Sequence, residues 1–219
     1  TISKDYLLVP VKKEAEKRLL TFWCGTEKIY EFEISCVDTE ETYPEDFCAV
    51  LPVKKWKGQK IRIEGDVCES LLSAVREKES AVRENSGYIH FVPETGWIND
   101  PNGLIYSEGK YHLYFQHNPV DVNWGNMSWG HAESTDLLHW VQKEDVMFPD
   151  ENGTMFSGCA ILNERGLLGL PKDTPVFFYT VAGSASEWSK GKKFVQRIAY
   201  STDQGETLTK IEENVLEHI

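Results

Sequence analysis

One short segment of this chain recurs after a fixed interval, together with the strands around it. Residues 132–136 read Ala-Glu-Ser-Thr-Asp and residues 199–203 read Ala-Tyr-Ser-Thr-Asp, an offset of 67 residues. Each copy follows an aromatic run, at residues 113–116 or 177–180, and each aromatic run follows an apolar run that begins with glycine. Short strands repeated in this order are typical of β-propeller blades, each of which is a four-stranded sheet. The repeat therefore predicts two blades of a propeller.

Two blades cannot close a ring, because propellers have at least four. We therefore expect further blades beyond residue 219 and interpret the chain as the truncated N-terminal portion of a longer protein. The alternative is a chance match of five residues, and the ordered strands around both copies favour the repeat. Residues 103–116 fit the first blade, since they read as a β-hairpin around a Ser-Glu-Gly-Lys turn.

The part of the chain before the repeat has a different texture. Short β-type runs alternate with charged turns, and the apolar–polar alternation at Tyr30, Phe32 and Ile34 and at Ile61 and Ile63 is typical of half-buried strands in a small antiparallel sandwich. These runs are residues 6–9, 18–23, 29–34 and 59–63. Residues 69–84 are highly charged and predict a short helix or an extended linker. We thus predict an all-β chain, with a β-sandwich-like domain and its linker at residues 1–84 and the propeller portion at residues 85–219.

Composition limits the partners and the compartment. Acidic residues outnumber basic ones by 35 to 23, a net charge of −12, so the surface repels nucleic acids and anionic lipids. No apolar run is long enough to cross a bilayer, and the first residues lack a secretory pattern. Five cysteines without paired spacing favour a reducing compartment. We predict a cytoplasmic protein with no nucleic-acid or membrane partner and a neutral substrate.

The segment with the strongest chemical signal is Trp-Ile-Asn-Asp-Pro-Asn-Gly at residues 97–103. Its Asp-Pro-Asn-Gly core is a tight turn on local chemistry alone, because proline fixes φ and glycine permits positive φ. The segment also leads directly into a predicted strand. A carboxylate at the start of a propeller's innermost strand would point into the central funnel, where several blades can surround one sugar ring. We therefore expect the carboxylate of Asp100 to line that funnel, with a purely structural turn as the alternative.

The segment and its downstream neighbours resemble glycoside hydrolase family 32, the family of invertases, inulinases, levanases and sucrose-6-phosphate hydrolases. The resemblance extends from about residue 88 to residue 210, in unbroken order through residues 97–103, 114–119, 123–132, 134–140, 156–160 and 198–205. It implies a five-bladed propeller and a retaining β-fructofuranosidase mechanism on sucrose or β-fructans. Retention needs two carboxyl groups, one attacking the anomeric carbon and one protonating the leaving oxygen. Asp100 matches the family's nucleophile.

The same resemblance implies substrate-binding residues. Five positions match the family's sugar-contacting residues: Asn99, Gln116, Trp124, Phe156 and Ser157. Amides suit sugar hydroxyls because each has a donor and an acceptor, and a flat indole ring can stack on a sugar face. We expect Trp97, Trp129 and Trp140 to serve as core or wall, and Cys159 to be buried and inert.

Two further family motifs are absent from these 219 residues, namely Arg-Asp-Pro and the Glu-Cys that carries the acid/base glutamate. We therefore expect negligible turnover from the isolated chain. The sequence leaves two alternatives open, a fructosyltransferase and a non-catalytic carbohydrate-binding propeller. The histidines form no recognisable metal pattern, and no phosphate-binding glycine loop occurs. We predict no metal and no cofactor, and as partners only a carbohydrate and the remaining blades of the same protein.

Overall fold

The structure is a computed structural model that describes residues 1–36, 45–66, 69–80, 83–85 and 90–216, with backbone alone for residues 83–85. These ranges are nearly all strand, with one short helix, α1 (Glu69–Ala74), and one 3-10 turn at Lys54–Trp56. The strands before residue 90 are β1 (Tyr6–Val11), β2 (Lys17–Cys24), β3 (Glu27–Ser35), β4 (Phe47–Pro52), β5 (Ile61–Gly65), β6 (Arg76–Lys78) and β7 (Arg83–Asn85). Those after residue 90 are β8 (Trp97–Ser107), β9 (Lys110–Asn118), β10 (Ser128–Ser134), β11 (Trp140–Gln142), β12 (Thr154–Leu162), β13 (Pro175–Ala182), β14 (Val195–Tyr200) and β15 (Thr209–Lys210). Within the described residues, no helix has the length and apolarity that a membrane span requires.

The chain forms two compact units, and the first contains two small antiparallel sheets. One sheet has the strand order β4-β1-β6 and the other has the order β3-β2-β5. In β2 the alternate residues Leu20, Phe22 and Cys24 are buried, as expected for a strand with one face on a core, whereas β3 is buried at residues 29–32 and 34–35. The predicted fold class of the N-terminal domain, a small all-β unit of antiparallel sheets, is thus confirmed. Strand β4 is an additional strand that the sequence analysis missed.

The first unit also includes a segment that is distant in sequence. Residues 118–126, the loop between β9 and β10, belong to it together with residues 1–81 and 95–97. The predicted boundary between residues 84 and 85 stays a prediction, since it lies beside residues outside the described ranges.

The second unit contains two antiparallel sheets of the kind that form propeller blades. The first has the order β7-β11-β10-β9-β8 and the second has the order β12-β13-β14-β15. Strands β8 and β9 form the predicted hairpin through a two-residue turn, Glu108-Gly109, where both φ angles are positive (49° and 83°). Positive φ at both central residues is the signature of the type I′ turn, whose twist matches that of the strands.

The sequence repeat occupies equivalent places in these two sheets. Each copy ends the third strand of its meander, β10 or β14, and closes in the same turn. Ser134 donates a hydrogen bond to Asp136 Oδ1 at 3.1 Å, and Ser201 donates one to Asp203 Oδ1 at 2.8 Å. In both turns the serine oxygen also accepts a hydrogen bond from the aspartate's backbone N–H. The repeat is therefore structural, and its Ser-x-Asp part is a side-chain-capped turn.

The two blade sheets share one core of large side chains. Its fully or nearly fully buried members are Tyr114, Trp129, Met147, Met155, Phe177, Tyr179, Val181 and Ala199. The ring of Tyr114 meets that of Phe177 edge to face, with centroids 4.9 Å apart. Because aromatic rings bury large apolar areas in specific geometry, this core fixes the second sheet against the first.

Strand β12 contains an irregularity that matters for the site. Met155 pairs with Val181 and Gly158 pairs with Tyr179, so two residues of β12, Phe156 and Ser157, oppose a single residue of β13. This is a β-bulge, which bends a strand and redirects the side chains that follow it. The glycine after the bulge sits tightly, because a Cβ there would overlap the carbonyl oxygen of Phe178.

Replacing Gly158 with Ala is expected to destabilise the protein by about 3 kcal/mol, because the added methyl group has backbone on one side and a Trp129 ring atom 2.9 Å away on the other. Gly109→Ala is the matched control, since a Cβ there meets nothing within 4 Å. Gly109→Ala should lose about 1 kcal/mol of unfolding free energy, because only the positive φ opposes the new side chain. Urea unfolding of both variants measures the difference, and equal losses would contradict the steric argument.

Candidate functional site

The candidate site begins at the edge strand β8, which presents Asp100 to solvent. The hydroxyl of Ser157, on the edge strand β12 of the second sheet, donates a hydrogen bond to Asp100 Oδ2 at 2.6 Å. A hydrogen bond to an ionised acceptor is stronger than one between neutral groups and fixes the carboxylate's orientation. The structure thus joins two of the six predicted site residues directly, across the two blade sheets.

The other predicted site residues of the second unit lie next to these two, in the same strands or in β9. Asn99 precedes Asp100 in β8 and Phe156 precedes Ser157 in β12, and both side chains are half-buried. Gln116 is only 2% exposed, and its Nε2 donates a hydrogen bond to the backbone oxygen of Met155 at 2.9 Å. The donor of the Gln116 amide is therefore engaged by backbone next to the bulge.

Trp124 lies in the loop of residues 118–126, in the first unit, and its side chain is 55% exposed. The centre of this loop is the buried carboxylate of Asp121, which is 1% exposed. Asp121 Oδ1 accepts hydrogen bonds from the backbone N–H of Val122 at 2.6 Å and of Asn123 at 3.2 Å. Its Oδ2 pairs with Lys17 Nζ at 3.0 Å.

A second anchor of the loop is an amide that pairs with a strand. Asn126 Nδ2 donates to the carbonyl oxygen of Glu33, and Asn126 Oδ1 accepts from the Glu33 N–H, both at 2.9 Å. The side chain thereby imitates one residue of an adjacent strand at the edge of β3. Trp124 is consequently carried by a loop that is held in place by the N-terminal sheet and by the buried carboxylate of Asp121, which pairs with the partly exposed Lys17.

Comparison with known proteins assigns the residues of the blade sheets to a family. Residues 90–218, more than half of the chain, match the description "Glycosyl hydrolases family 32 N-terminal domain". The chain belongs to glycoside hydrolase family 32. The resemblance noted in the sequence is thereby confirmed, and the two blade sheets are those of a family 32 propeller.

Among the relatives of this family 32 chain, a levanase of Bacillus subtilis (strain 168) is 44% identical over 124 residues, which cover 55% of this chain and 17% of the levanase. The structure of a β-fructofuranosidase from Schwanniomyces occidentalis, complexed with fructosyl-erythritol, matches with 37% identity and a TM-score of 0.50, over 58% of this chain and 25% of that one. The chain therefore spans a quarter or less of the length of these two proteins.

A third similarity includes the N-terminal unit. A family 32 structure from Bifidobacterium adolescentis covers 99% of this chain and 39% of its own, with a TM-score of 0.50 and 22% identity. At that identity the similarity concerns the fold alone. It shows that a small β-domain followed by blade sheets also occurs in another member of the family.

One sequence prediction about the site is wrong. Cys159 was expected to be buried, yet it is exposed, because the bulge shifts the alternation of β12 and turns Ser157, Cys159 and Ile161 to the same open face. Trp129 is fully buried, as predicted, whereas Trp97 and Trp140 are half-buried. The described cysteines are all free thiols, and Cys68 lies outside the described residues.

A group that the sequence analysis missed lies on β9 and β10 of the first blade sheet. His112, His131 and Glu133 are buried, and their ligand atoms lie within 4.8 Å of one another. Such a set could in principle hold a metal, but Glu133 Oε2 already accepts a hydrogen bond from Lys110 at 2.8 Å, and His112 Nδ1 lies 3.1 Å from His131 Nε2. The group thus contains a hydrogen-bonded pair of rings next to an ion pair, and the other ring nitrogen of His131, Nδ1, is buried without a hydrogen-bond partner among the described residues.

This histidine pair predicts a pH dependence of stability. Burial lowers the pKa of His131 well below its usual value and, more modestly, that of His112. In the unfolded chain both rings titrate near their ordinary pKa of about 6.5. The contribution of the two neutral rings to the unfolding free energy is therefore fully present above that pH and falls as the pH drops below it.

Urea unfolding at pH 7.5 and pH 5.5 should show this loss of unfolding free energy, and His131→Gln should remove much of the loss. His139→Gln is the control, because its hydrogen bond to Asp136 raises the pKa of the exposed ring and gives the opposite sign. An unchanged pH slope in His131→Gln would refute the assignment.

Proposed function

We propose that this chain contributes to a retaining β-fructofuranosidase-type hydrolase, which cleaves sucrose or β-fructans by double displacement with Asp100 as the nucleophile. The observation that carries the proposal is the 2.6 Å hydrogen bond from Ser157 to an otherwise exposed carboxylate on an edge strand. This bond leaves the second carboxylate oxygen, Oδ1, able to attack. The names of the relatives, levanase and β-fructofuranosidase, support fructosides as the substrate class.

In the first half of the proposed reaction, an Asp100 oxygen bonds to the anomeric carbon as the bond to the leaving-group oxygen breaks. A second carboxyl group, about 5–5.5 Å from the first, gives its proton to that oxygen. In the second half, water gives a proton back to the second group and displaces Asp100, so both residues return to their starting state. The glutamate in the Glu-Cys motif of the family suits the second role, and that motif does not occur in these 219 residues.

The remaining predicted positions supply the sugar contacts in this proposal. Asn99, beside the nucleophile, offers an amide to the fructosyl hydroxyls, and Phe156 offers an apolar wall next to Ser157. Trp124 offers an exposed ring for stacking on a sugar face. The net charge of −12 also favours a neutral sugar over a phosphorylated one.

The test compares the isolated 219-residue chain with the longer protein that we propose. We expect no measurable sucrose cleavage by the isolated chain, because general acid catalysis contributes roughly 10²–10⁴-fold and its residue is missing. The longer protein should release fructose, and ¹H NMR of the first product should show the β-anomer. Transfer of fructose to sucrose would indicate a fructosyltransferase instead, and binding without cleavage would indicate a carbohydrate-binding propeller.

A further inference from the structure

The bulge in β12 determines which way Ser157 faces. Side chains of a strand alternate between its two faces, so in a regular strand Ser157 would share the buried face of Met155, which is 0% exposed. The extra residue reverses this phase, and Ser157 becomes exposed and reaches Asp100. The contact between nucleophile and hydroxyl therefore depends on the bulge.

A bulge interrupts the ladder of backbone hydrogen bonds, so backbone groups around it need other partners. Three buried side chains provide them. The bonds run from Gln116 Nε2 to the Met155 oxygen at 2.9 Å, from Trp129 Nε1 to the Phe156 oxygen at 3.0 Å, and from the Gly158 N–H to Asn102 Oδ1 at 3.3 Å. Each bond satisfies one backbone group, and together they cover Met155, Phe156 and Gly158, three of the four positions 155–158.

These three side chains come from the three adjacent strands of the first blade sheet. Asn102 is on β8, Gln116 on β9 and Trp129 on β10, and Gln116 and Trp129 are directly paired across their strands. They are 1%, 2% and 0% exposed. Asn102 is two residues after Asp100, so the strand that carries the nucleophile also holds the strand that carries its hydroxyl partner.

We propose that Asn102, Gln116 and Trp129 are positioning residues, which act on catalysis by holding the bulge so that Ser157 donates to Asp100. The inference rests on the proposed function of Asp100 and extends it to residues that need not touch the sugar. It assigns Gln116 a backbone-holding role in addition to the sugar contact implied by its family position. It also explains why a residue as large as Trp129 has its single polar group directed at a carbonyl next to the site.

The experiment is a double-mutant cycle in the longer, active protein. Trp129→Phe and Gln116→Met each remove the donor and keep most of the volume. Each should lower kcat/KM by about 10- to 100-fold, the range for losing a hydrogen bond to a charged group. Ser157→Ala should lower it by a similar factor. In the Ser157→Ala background, Trp129→Phe should cost less than about threefold more, because residues that act through one contact are not additive.

Tyr114→Phe is the matched control. Tyr114 lies two residues before Gln116 on β9, is fully buried, and donates to the backbone oxygen of Gly205 at 3.1 Å. It should lose thermal stability as the test variants do and keep kcat/KM within about threefold of wild type. A crystal structure of Trp129→Phe should show Ser157 Oγ more than about 3.5 Å from Asp100 Oδ2, beyond hydrogen-bonding distance.

Two results would overturn the inference. One is wild-type kcat/KM in both Trp129→Phe and Gln116→Met, and the other is an equal loss for Trp129→Phe with and without Ser157. If Trp129→Phe does not fold, the distance from Ser157 Oγ to Asp100 Oδ2 in a crystal of Gln116→Met decides the question, because a lost sugar contact alone would leave that distance unchanged. Full activity of Asp100→Asn would refute the proposed function instead, and the Ser157–Asp100 distance in the variant crystals would still test whether the three side chains hold the bulge.

Discussion

Asp100→Asn is expected to reduce fructoside hydrolysis by the longer protein by at least about 10⁴-fold, the order of loss seen when an essential catalytic group is removed. The amide keeps the shape of the carboxylate and can still accept a hydrogen bond from Ser157. It cannot form a glycosyl ester, because its nitrogen and neutral oxygen are poor nucleophiles at the anomeric carbon. The loss should appear in kcat, with KM little changed, in initial-rate measurements on sucrose and on inulin.

Ser157→Ala separates the nucleophile from its support. It keeps the carboxylate and removes only the 2.6 Å hydrogen bond, so its loss should be far smaller, about 10- to 100-fold. Asp136→Asn is a control for a general effect of lost charge, because Asp136 lies in the exposed turn after β10. A ratio near one between the rates of Asp100→Asn and wild type would show that another residue is the nucleophile.

Asp121→Ala is expected to destabilise the N-terminal unit by about 2–3 kcal/mol, because the buried carboxylate is the acceptor for several hydrogen bonds whose donors would be left without it. The buried carboxylate receives hydrogen bonds from two backbone N–H groups and from the Asn123 side chain, and it pairs with Lys17. Alanine leaves all of these donors without their acceptor. Hydrogen exchange of the Val122 and Asn123 amides should accelerate, and the unfolding transition of this unit should move to lower urea.

Two controls test that burial is the reason. Asp121→Asn keeps an acceptor for the amides and loses the charge, so its effect should be intermediate. Asp46→Ala breaks the pair with Lys12 at 3.0 Å, in which both side chains are about one-third exposed, and should have a much smaller effect because solvent screens such pairs. An equal loss for Asp46→Ala and Asp121→Ala would contradict the argument.

Local patterns in the sequence predicted the regular parts of the fold. The β-type runs at residues 18–23 and 29–34 correspond to β2 and β3, and the Gly109 hairpin and the repeated Ser-x-Asp turns are where the pattern placed them. Strand β4 was missed, although its run at Phe47–Pro52 is apolar like the run at residues 6–9 that was assigned to a strand. Periodicity identifies strands with one buried face much better than short continuous runs.

The sequence indicated candidate site residues, and it did not indicate the hydrogen bonds that connect them. Asp100 and Ser157 were both named from the motif match, and the structure places them in contact. The bulge could not be found, since nothing in Met-Phe-Ser-Gly marks an inserted residue, and the same shift made the prediction for Cys159 wrong. Asn102 and Trp129 were missed as site residues because their polar groups bond to backbone, which carries no sequence signal.

The loop that carries Trp124 has a consequence for protein engineering. It leaves the first blade sheet at Asn118, returns at Met127, and is fastened to the N-terminal sheet by Asp121 and Asn126. A chimera that exchanges only residues 1–81 for those of another family member would keep the loop and replace the residues that Asp121 and Asn126 contact. A graft that preserves these contacts transfers residues 1–81 together with the loop of residues 118–126, although the two segments are far apart in the gene.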